Sequence, residues 1–186
     1  MPRNRRPQDR EEKRAEIVTA AAGLFTEAGY DSTSMARVAA SAGVTTNTIY
    51  WYFKDKDALL VGVLDHVLSE ALEAASLHAE GPWVDQVLWA VEQLEQYNRL
   101  VTVVHSRAST SPLIEAWHTN FHDLMDSILA EGFRGVGVAE ADLAAMNRIG
   151  TFVVEGLLMH PHTRPNRREI IEQLANPAGQ PRPVQR

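Results

Sequence analysis

The sequence contains no cysteine among its 186 residues. This excludes disulfide bonds, cysteine-ligated zinc and a thiol nucleophile, and it fits a reducing compartment. The sequence also lacks an apolar run of about 18 residues, which a membrane-spanning helix requires. Its polar and basic start is unlike a secretory signal. We therefore expect a cytoplasmic protein with no membrane partner.

Motifs of several common enzyme classes are missing as well. There is no glycine-rich phosphate-binding loop, no nucleophile elbow and no HExxH sequence. No segment alternates with period two for long, so β-strands are not expected. With 45% hydrophobic and 23% charged residues the composition is that of an ordinary globular protein. We expect an all-α fold, no cofactor, no metal and no enzymatic activity.

The net charge of −6 is unevenly distributed. Residues 1–56 carry a net charge of +2, whereas residues 57–186 carry −8. Residues 1–14 hold six basic and three acidic side chains, which predicts a flexible basic arm able to meet a polyanion. A solvated tail without a partner is the alternative interpretation.

Apolar residues at helical spacing predict three short helices within residues 15–56. The first ends at Gly29, and the second is capped by Thr33 or Ser34. After Gly43 ends the second helix, a third begins, on which Ile49 and Phe53 face the other two. Three helices therefore share one small core.

A larger helical body is predicted at residues 57–175. A long helix starts near residue 57 and continues toward Gly81-Pro82. The further helical runs are predicted at 83–105, 112–131, 139–160 and 167–175. Residues 176–186 contain three prolines and a glycine with little to bury, so we expect a disordered tail.

Two short helices joined by a glycine-containing turn form a helix-turn-helix pattern. The first turn of a recognition helix must offer short polar side chains to base edges, and Thr46, Asn47 and Thr48 do so. The longer side chains that can reach phosphates are Tyr50, Tyr52, Lys54 and Lys56. From spacing alone, an ordinary helical hairpin with capping threonines is an equal alternative.

Motifs within TEAGYDSTSMARVAASAGVTTNTIYWYFKDKDALL separate these alternatives. They run in the order glycine-aromatic, threonine, alanine-x-x-x-glycine-valine, tyrosine-x-x-phenylalanine and lysine-x-x-leucine. This order resembles the DNA-binding domain of the TetR family of bacterial transcriptional repressors. The resemblance covers about residues 14–64, roughly a third of the chain.

The resemblance implies a three-helix DNA-binding domain, a variable ligand-binding body and a homodimer on a palindromic operator. By position, Thr33 resembles a phosphate contact, and Thr46, Asn47 and Thr48 resemble base readers. Many family members have glycine in place of Asn47 and histidine in place of Tyr52, which leaves the base contacts open. The predicted DNA-binding residues are Thr33, Thr45, Thr46, Asn47, Thr48, Tyr50, Tyr52, Lys54 and Lys56.

Residues 143–159 are apolar on almost every side, so we expect this helix to be covered on two sides. The resemblance implies that it forms a dimer interface with the helix that follows. The predicted interface residues are Phe152, Val153, Gly156, Leu157, Ile170, Ile171 and Leu174. A core helix of a monomer is the alternative.

Aromatic and histidine residues collect in the middle helices, where a pocket for a small, largely apolar effector is expected. The predicted pocket residues are Trp89, Tyr97, His105, Trp117, Phe121 and Phe152. Ordinary core packing is the alternative for each. His118 and His122 stand four apart and, with His105, have a spacing that can hold a metal. We do not predict that they do.

The sequence thus predicts a repressor that binds a palindromic operator as a homodimer and is released by a small-molecule effector. Two rival functions remain. One is a metal-dependent hydrolase built on the histidines, and the other is an architectural DNA-binding protein without an effector.

Overall fold

The computed structural model of the chain describes residues 5–160 and 162–176, and the regular structure in these ranges is helical. The predicted all-α class is confirmed. The helices are α1 (Arg5–Glu27), α2 (Met35–Ser41), α3 (Thr46–Tyr52), α4 (Lys56–Leu77), α5 (Trp83–Gln96), α6 (Asn98–Ala108), α7 (Pro112–Gly135), α8 (Leu143–Met159) and α9 (Arg164–Leu174), and a 3₁₀ turn at Glu140–Asp142 precedes α8. No helix in the described ranges is long and apolar enough to cross a membrane.

The chain divides into two compact units. The first joins Met1–Glu73 to Tyr97–Thr119, and the second joins Ala74–Gln96 to Asn120–Arg186. The first unit is therefore larger than the predicted DNA-binding domain of residues 15–56. It adds most of α4, all of α6 and the first turns of α7.

The core of the first unit explains why these helices belong together. From α1, α2 and α3 it buries Ile17, Phe25, Val38 and Ile49 among others. The buried side chains that α4, α6 and α7 add are Leu59, Leu60, Val63, Leu64, Leu100, Val104 and Ile114. Burial of a large aliphatic or aromatic side chain stabilises by about 1.5–3 kcal/mol. The later helices are thus part of the same hydrophobic core.

The second unit has two small cores and a row of ion pairs. One core packs Val87, Leu88 and Val91 of α5 against α8 and α9, and the other surrounds Phe133. Three arginines of α9 pair with three carboxylates of α5, and the pairs are Arg164–Glu92, Arg167–Glu95 and Arg168–Asp85. These ion pairs hold α9 alongside α5.

Two differences from the sequence-based predictions exceed shifts of a few residues at helix ends. The helix predicted at 83–105 is broken at Tyr97, whose backbone leaves the helical region (φ −107°, ψ 20°), although no proline or glycine lies there. Residues 5–14, predicted as part of a flexible arm, are the first turns of α1. The predicted tail at 176–186 lies almost wholly outside the described residues.

Gly132 lies inside α7 because Trp83 fills the space beside it. A Cβ atom at residue 132 would come within 1.9 Å of Trp83 Nε1. We expect Gly132→Ala to lower the free energy of unfolding by about 1–3 kcal/mol, because the rigid indole must move. Gly135→Ala is the matched control, since its Cβ would meet nothing within 4 Å. Thermal or urea unfolding that shows equal effects for both variants would contradict this packing.

Candidate nucleic-acid interface

The turn between α2 and α3 sets the start of α3. Gly43 adopts a positive φ of 65°, which glycine allows at little cost. Thr45 then caps α3, because its Oγ1 accepts a hydrogen bond from the backbone N–H of Thr48 at 3.2 Å. The hydroxyls of Thr45 and Thr48 lie 2.9 Å apart. Thr45 and Thr48, both predicted to bind DNA, therefore stabilise the first turn of α3.

Burial of Ile49 and Phe53 determines which side of α3 faces outward. Both side chains lie in the core of the first unit. On the opposite face of α3, Asn47, Tyr50 and Trp51 are exposed at i, i+3 and i+4 spacing, and Lys54 is exposed two residues after the helix ends. We call these four residues the reading face. It presents an amide in the first turn, then two aromatic rings, then a cation.

The predicted role of Thr33 as a phosphate contact is wrong. Thr33 is 0% exposed, and its hydroxyl donates to the carbonyl of Gly29 at 2.9 Å. The exposed cap of α2 is Ser34, whose Oγ accepts from the backbone N–H of Arg37 at 3.1 Å. Sequence reasoning named both residues as possible caps, and nothing in an adjacent Thr-Ser pair distinguishes the buried hydroxyl from the exposed one.

The other predicted phosphate contacts divide by exposure. Lys54 is exposed, whereas Tyr52 is half-buried and packs against the core. Lys56 is also half-buried, and its Nζ lies 4.0 Å from the centre of the Tyr30 ring. Burial lowers the pKa of Lys56 by disfavouring the ammonium, an effect that the charge of Asp31 opposes. Lys56 is thus engaged with Tyr30 rather than extended into solvent.

A polar cluster of Tyr30, Asp57 and Arg107 fixes the start of α4. Arg107 of α6 donates from Nε and Nη2 to the two oxygens of Asp57 at 2.9 and 2.8 Å. The hydroxyl of Tyr30, from the loop after α1, also donates to Asp57. Asp55 caps α4 by accepting from the backbone N–H of Ala58 at 2.8 Å. One carboxylate therefore joins α6 to the start of α4 and to the loop after α1.

The charged form of Asp57 is favoured in the folded chain. Burial alone would raise the pKa of Asp57, but hydrogen bonds from Arg107, Tyr30 and Ser111 outweigh it, and the pKa falls below its ordinary value. The pKa of Tyr30 is raised by burial and by the same hydrogen bond. A carboxylate with a depressed folded pKa stabilises the fold above its unfolded pKa, and this stabilisation is lost as pH falls through the folded pKa.

Asp57→Asn should lower the free energy of unfolding at pH 7 by about 1–3 kcal/mol, because Arg107 loses its bidentate carboxylate. The difference in unfolding free energy between wild type and variant should narrow as the pH drops below 3.8, the ordinary pKa of an aspartate carboxyl. Urea unfolding at several pH values measures it. Asp123→Asn, on an exposed side chain of α7, is the control. A gap that stays constant down to acid pH would show that the charge of Asp57 does not contribute.

Sequence reasoning did not select Trp51 or Arg37 as DNA-binding residues. Trp51 is 62% exposed on the reading face, and Arg37 is exposed on α2. The spacing from Asn47 to Trp51 could have identified the tryptophan, because residues four apart share a helical face. Arg37 carried no such signal, since an isolated surface cation is ordinary.

The predicted pocket residues fall in different surroundings. In the first unit, Trp117 donates from Nε1 to Asp65 at 2.8 Å, and the rings of His105 and His118 are 4.9 Å apart. In the second unit, Trp89 stacks on His78 at 4.5 Å. Tyr97 packs against the first core, and Phe121 meets His122 edge-on.

Phe152, predicted for both the pocket and the dimer interface, has a side chain that is 70% exposed. It lies on an outward apolar face of α8 with Ile149 and Met159, both also exposed. His122 of α7 lies 3.9 Å from a carboxylate oxygen of Glu155 on α8.

Three predicted dimer-interface residues are core residues of the second unit. Leu157, Ile171 and Leu174 are buried at 2%, 0% and 6% exposure. They pack against α5, α8 and Phe133 and are not available to a second chain. Val153, Gly156 and Ile170 are half-buried. The apolar character of α8 on all sides therefore has two causes, an inner face in the core and an outer face without a partner in the protomer.

Residues 17–63 match the family of bacterial regulatory proteins of the tetR type. The predicted resemblance to the TetR family is thereby confirmed. The match covers the second half of α1 through the first turns of α4, which include the elements that build the reading face.

Curated TetR-type relatives align with parts of the chain. The regulator HbdR of Aromatoleum sp. (strain CIB) is 34% identical over 106 residues, which are 54% of this chain and 46% of HbdR. AcrR of Shigella flexneri is 46% identical over 52 residues, 28% of this chain and 24% of AcrR. The chain therefore spans from about a quarter to about half of the length of these relatives.

Solved structures share the fold over most of the chain. A TetR transcription regulator from Haloarcula marismortui superposes with a TM-score of 0.71 at 18% identity, covering 91% of this chain and 96% of that one. A Saccharomonospora viridis protein solved in complex with choline gives 0.73 at 18% identity, covering 88% and 95%. The TetR fold thus extends beyond the helix-turn-helix to the helical body.

Proposed function

We propose that this TetR-family protein is a transcriptional regulator that binds a palindromic operator as a homodimer and is released from it by a small-molecule effector. The reading face of α3 is the observation that carries the proposal. It is polar at its first turn and is held rigid by the buried Ile49 and Phe53. A bacterial regulator of this kind acts in the cytoplasm, where its operator lies.

The chemistry of the reading face suits the major groove of DNA. A recognition helix enters the groove with its N-terminal residues toward the base edges. The Asn47 amide can bond an adenine in bidentate fashion, and the Thr46 methyl group can pack on a thymine methyl. Tyr50 and, just after the helix, Lys54 lie farther along the chain and are long enough to reach phosphates. Base reading and positioning are therefore separate tasks of neighbouring residues.

Direct selection of bound sequences from a random DNA pool tests the proposal. We expect enrichment of a palindrome with half-sites about one helical turn apart, because a dimer presents two reading faces. Absence of any enriched duplex would refute the proposed function. A palindrome whose binding no small molecule alters would favour an architectural protein.

Asn47→Ala should alter base preference at one defined operator position and cost about 1–3 kcal/mol there. Lys54→Ala is the matched comparison on the same face, and it should weaken all sequences alike because a phosphate contact carries no base information. Mobility-shift titrations against operators altered at single positions measure both. If both variants weakened every sequence equally, Asn47 would not be the base reader.

The outer face of α8 supports the homodimer. Ile149, Phe152 and Met159 share this face, with Gly156 between them, and a Cβ at Gly156 would meet nothing within 4 Å. Exposed large apolar side chains grouped in this way are typical of an interface. A second copy of the chain presents the same face, as a two-fold interface requires.

Phe152→Glu should shift the protein from dimer to monomer. Loss of a central interface aromatic costs about 2–4 kcal/mol, and each 1.4 kcal/mol is about tenfold in the dissociation constant. Leu77→Glu is the control, because Leu77 is equally large and exposed but lies at the end of α4. Sedimentation at several concentrations measures the change. A Phe152→Glu protein that remained dimeric would place the interface elsewhere.

Effector release is supported by a neighbour and by the helical body. The Saccharomonospora viridis protein of the same fold binds choline. For this chain we propose a small, largely apolar effector held among the aromatic side chains of the body. Because two ligands of one protein are linked, effector must weaken DNA binding and DNA must weaken effector binding by the same factor. Titrations without this reciprocity would refute release by an effector.

A further inference from the structure

The N-terminal half of α1 lies beside the reading face. The guanidinium of Arg10 is 4.5 Å from the centre of the Trp51 ring, and that of Arg14, one turn later, is 5.1 Å from the Phe53 ring. Arg14 is half-buried, whereas Arg10 is exposed. The two arginines therefore mark an inner and an outer contact between α1 and the end of α3.

The guanidinium of Arg10 packs over the Trp51 ring, but no carboxylate among the described residues neutralises its charge. Within the described residues, no carboxylate pairs with Arg10, whereas the neighbouring Lys13 pairs with Glu16. A guanidinium stacked on an aromatic ring keeps its N–H groups at the edge, where they can donate to other acceptors. Those donors lie beside Trp51, which is itself 62% exposed on the reading face.

Charge complementarity identifies the acceptor. DNA that meets the reading face carries a phosphate about every 1.7 Å along its axis, counting both strands. Arginine binds phosphate through paired N–H donors, and a pre-oriented guanidinium loses less rotamer freedom on doing so. Asp9 and Glu11 project about 100° to either side of Arg10 around the axis of α1, away from this face.

We propose that Arg10, oriented by Trp51, is a DNA phosphate contact that lies outside the helix-turn-helix. Trp51 acts here as a positioning residue, because its ring holds the guanidinium beside the reading face. This inference rests on the proposed DNA-binding function and adds α1 to the surface that meets the operator.

The salt dependence of DNA affinity tests the proposal. The probes are the duplex that the wild-type protein enriches and a duplex of mixed sequence. Loss of one phosphate contact should reduce the slope of log affinity against log salt by about 1. Arg10→Ala should show this reduction on both probes, with an affinity change between 50 and 200 mM salt about threefold smaller than that of wild type. Arg148→Ala removes an exposed cation of α8 and should keep the wild-type slope.

Variants of Trp51 test the positioning role. Trp51→Phe keeps an aromatic face and should keep the slope, whereas Trp51→Ala should lower it as Arg10→Ala does. In the Trp51→Ala background, Arg10→Ala should then reduce the slope no further. Independent, additive reductions would overturn the claim that Trp51 orients Arg10.

The outcomes separate this inference from the function on which it rests. If wild-type protein binds neither probe, the proposed function and the inference fail together. If wild-type protein binds and Arg10→Ala keeps its slope, the inference alone fails. Circular dichroism melting of each variant checks that the fold is intact, and a folded Arg10→Ala protein with a reduced slope supports the contact.

Discussion

Burial of Ile49 and Phe53 is the constraint on which the candidate DNA interface depends. These two side chains lock α3 against the core of the first unit, so the rotation of a helix barely two turns long is determined by its inner side. A short helix has little intrinsic stability, and tertiary packing must hold it. Asn47, Tyr50, Trp51 and Lys54 face outward as a consequence. The polar groups that would meet DNA are therefore arranged by an apolar contact that never touches it.

The polar cluster around Asp57 supplements that core at its edge. Arg107 and Tyr30 meet one carboxylate, and Asp57 is the second residue of α4, where a negative charge is favoured by the helix dipole. The cluster brings together the loop after α1, the start of α4 and the last turn of α6. Movement of α6 along its axis would either break the hydrogen bonds of Arg107 to Asp57 or move the start of α4 with it, so the cluster links the position of α6 to that of α4.

The helices and the helix-turn-helix could be predicted because apolar spacing, caps and positive-φ glycines are local signals. Gly29 and Gly43 are such positions. Properties that depend on packing could not be predicted. Burial decides that the Thr33 hydroxyl turns inward while Ser34 stays exposed, and the break at Tyr97 has no residue that marks it. In α8 the sequence shows apolar residues on all sides, but only packing separates the buried Leu157 from the exposed Phe152. The proposed effector pocket depends throughout on long-range packing of this kind.

The first unit is discontinuous in the chain, because α6 and the start of α7 return to the core that α1 to α4 begin. A chimera of residues 1–56 of this chain with the body of another regulator would lack Leu100, Val104 and Ile114, which complete the core in this chain. The graft would have to rebuild the part of its hydrophobic core that α6 and α7 supply from the residues of a foreign protein. Exchange of operator specificity between such proteins is therefore better attempted by replacing the outward residues of α3 than by exchanging the segment as a module.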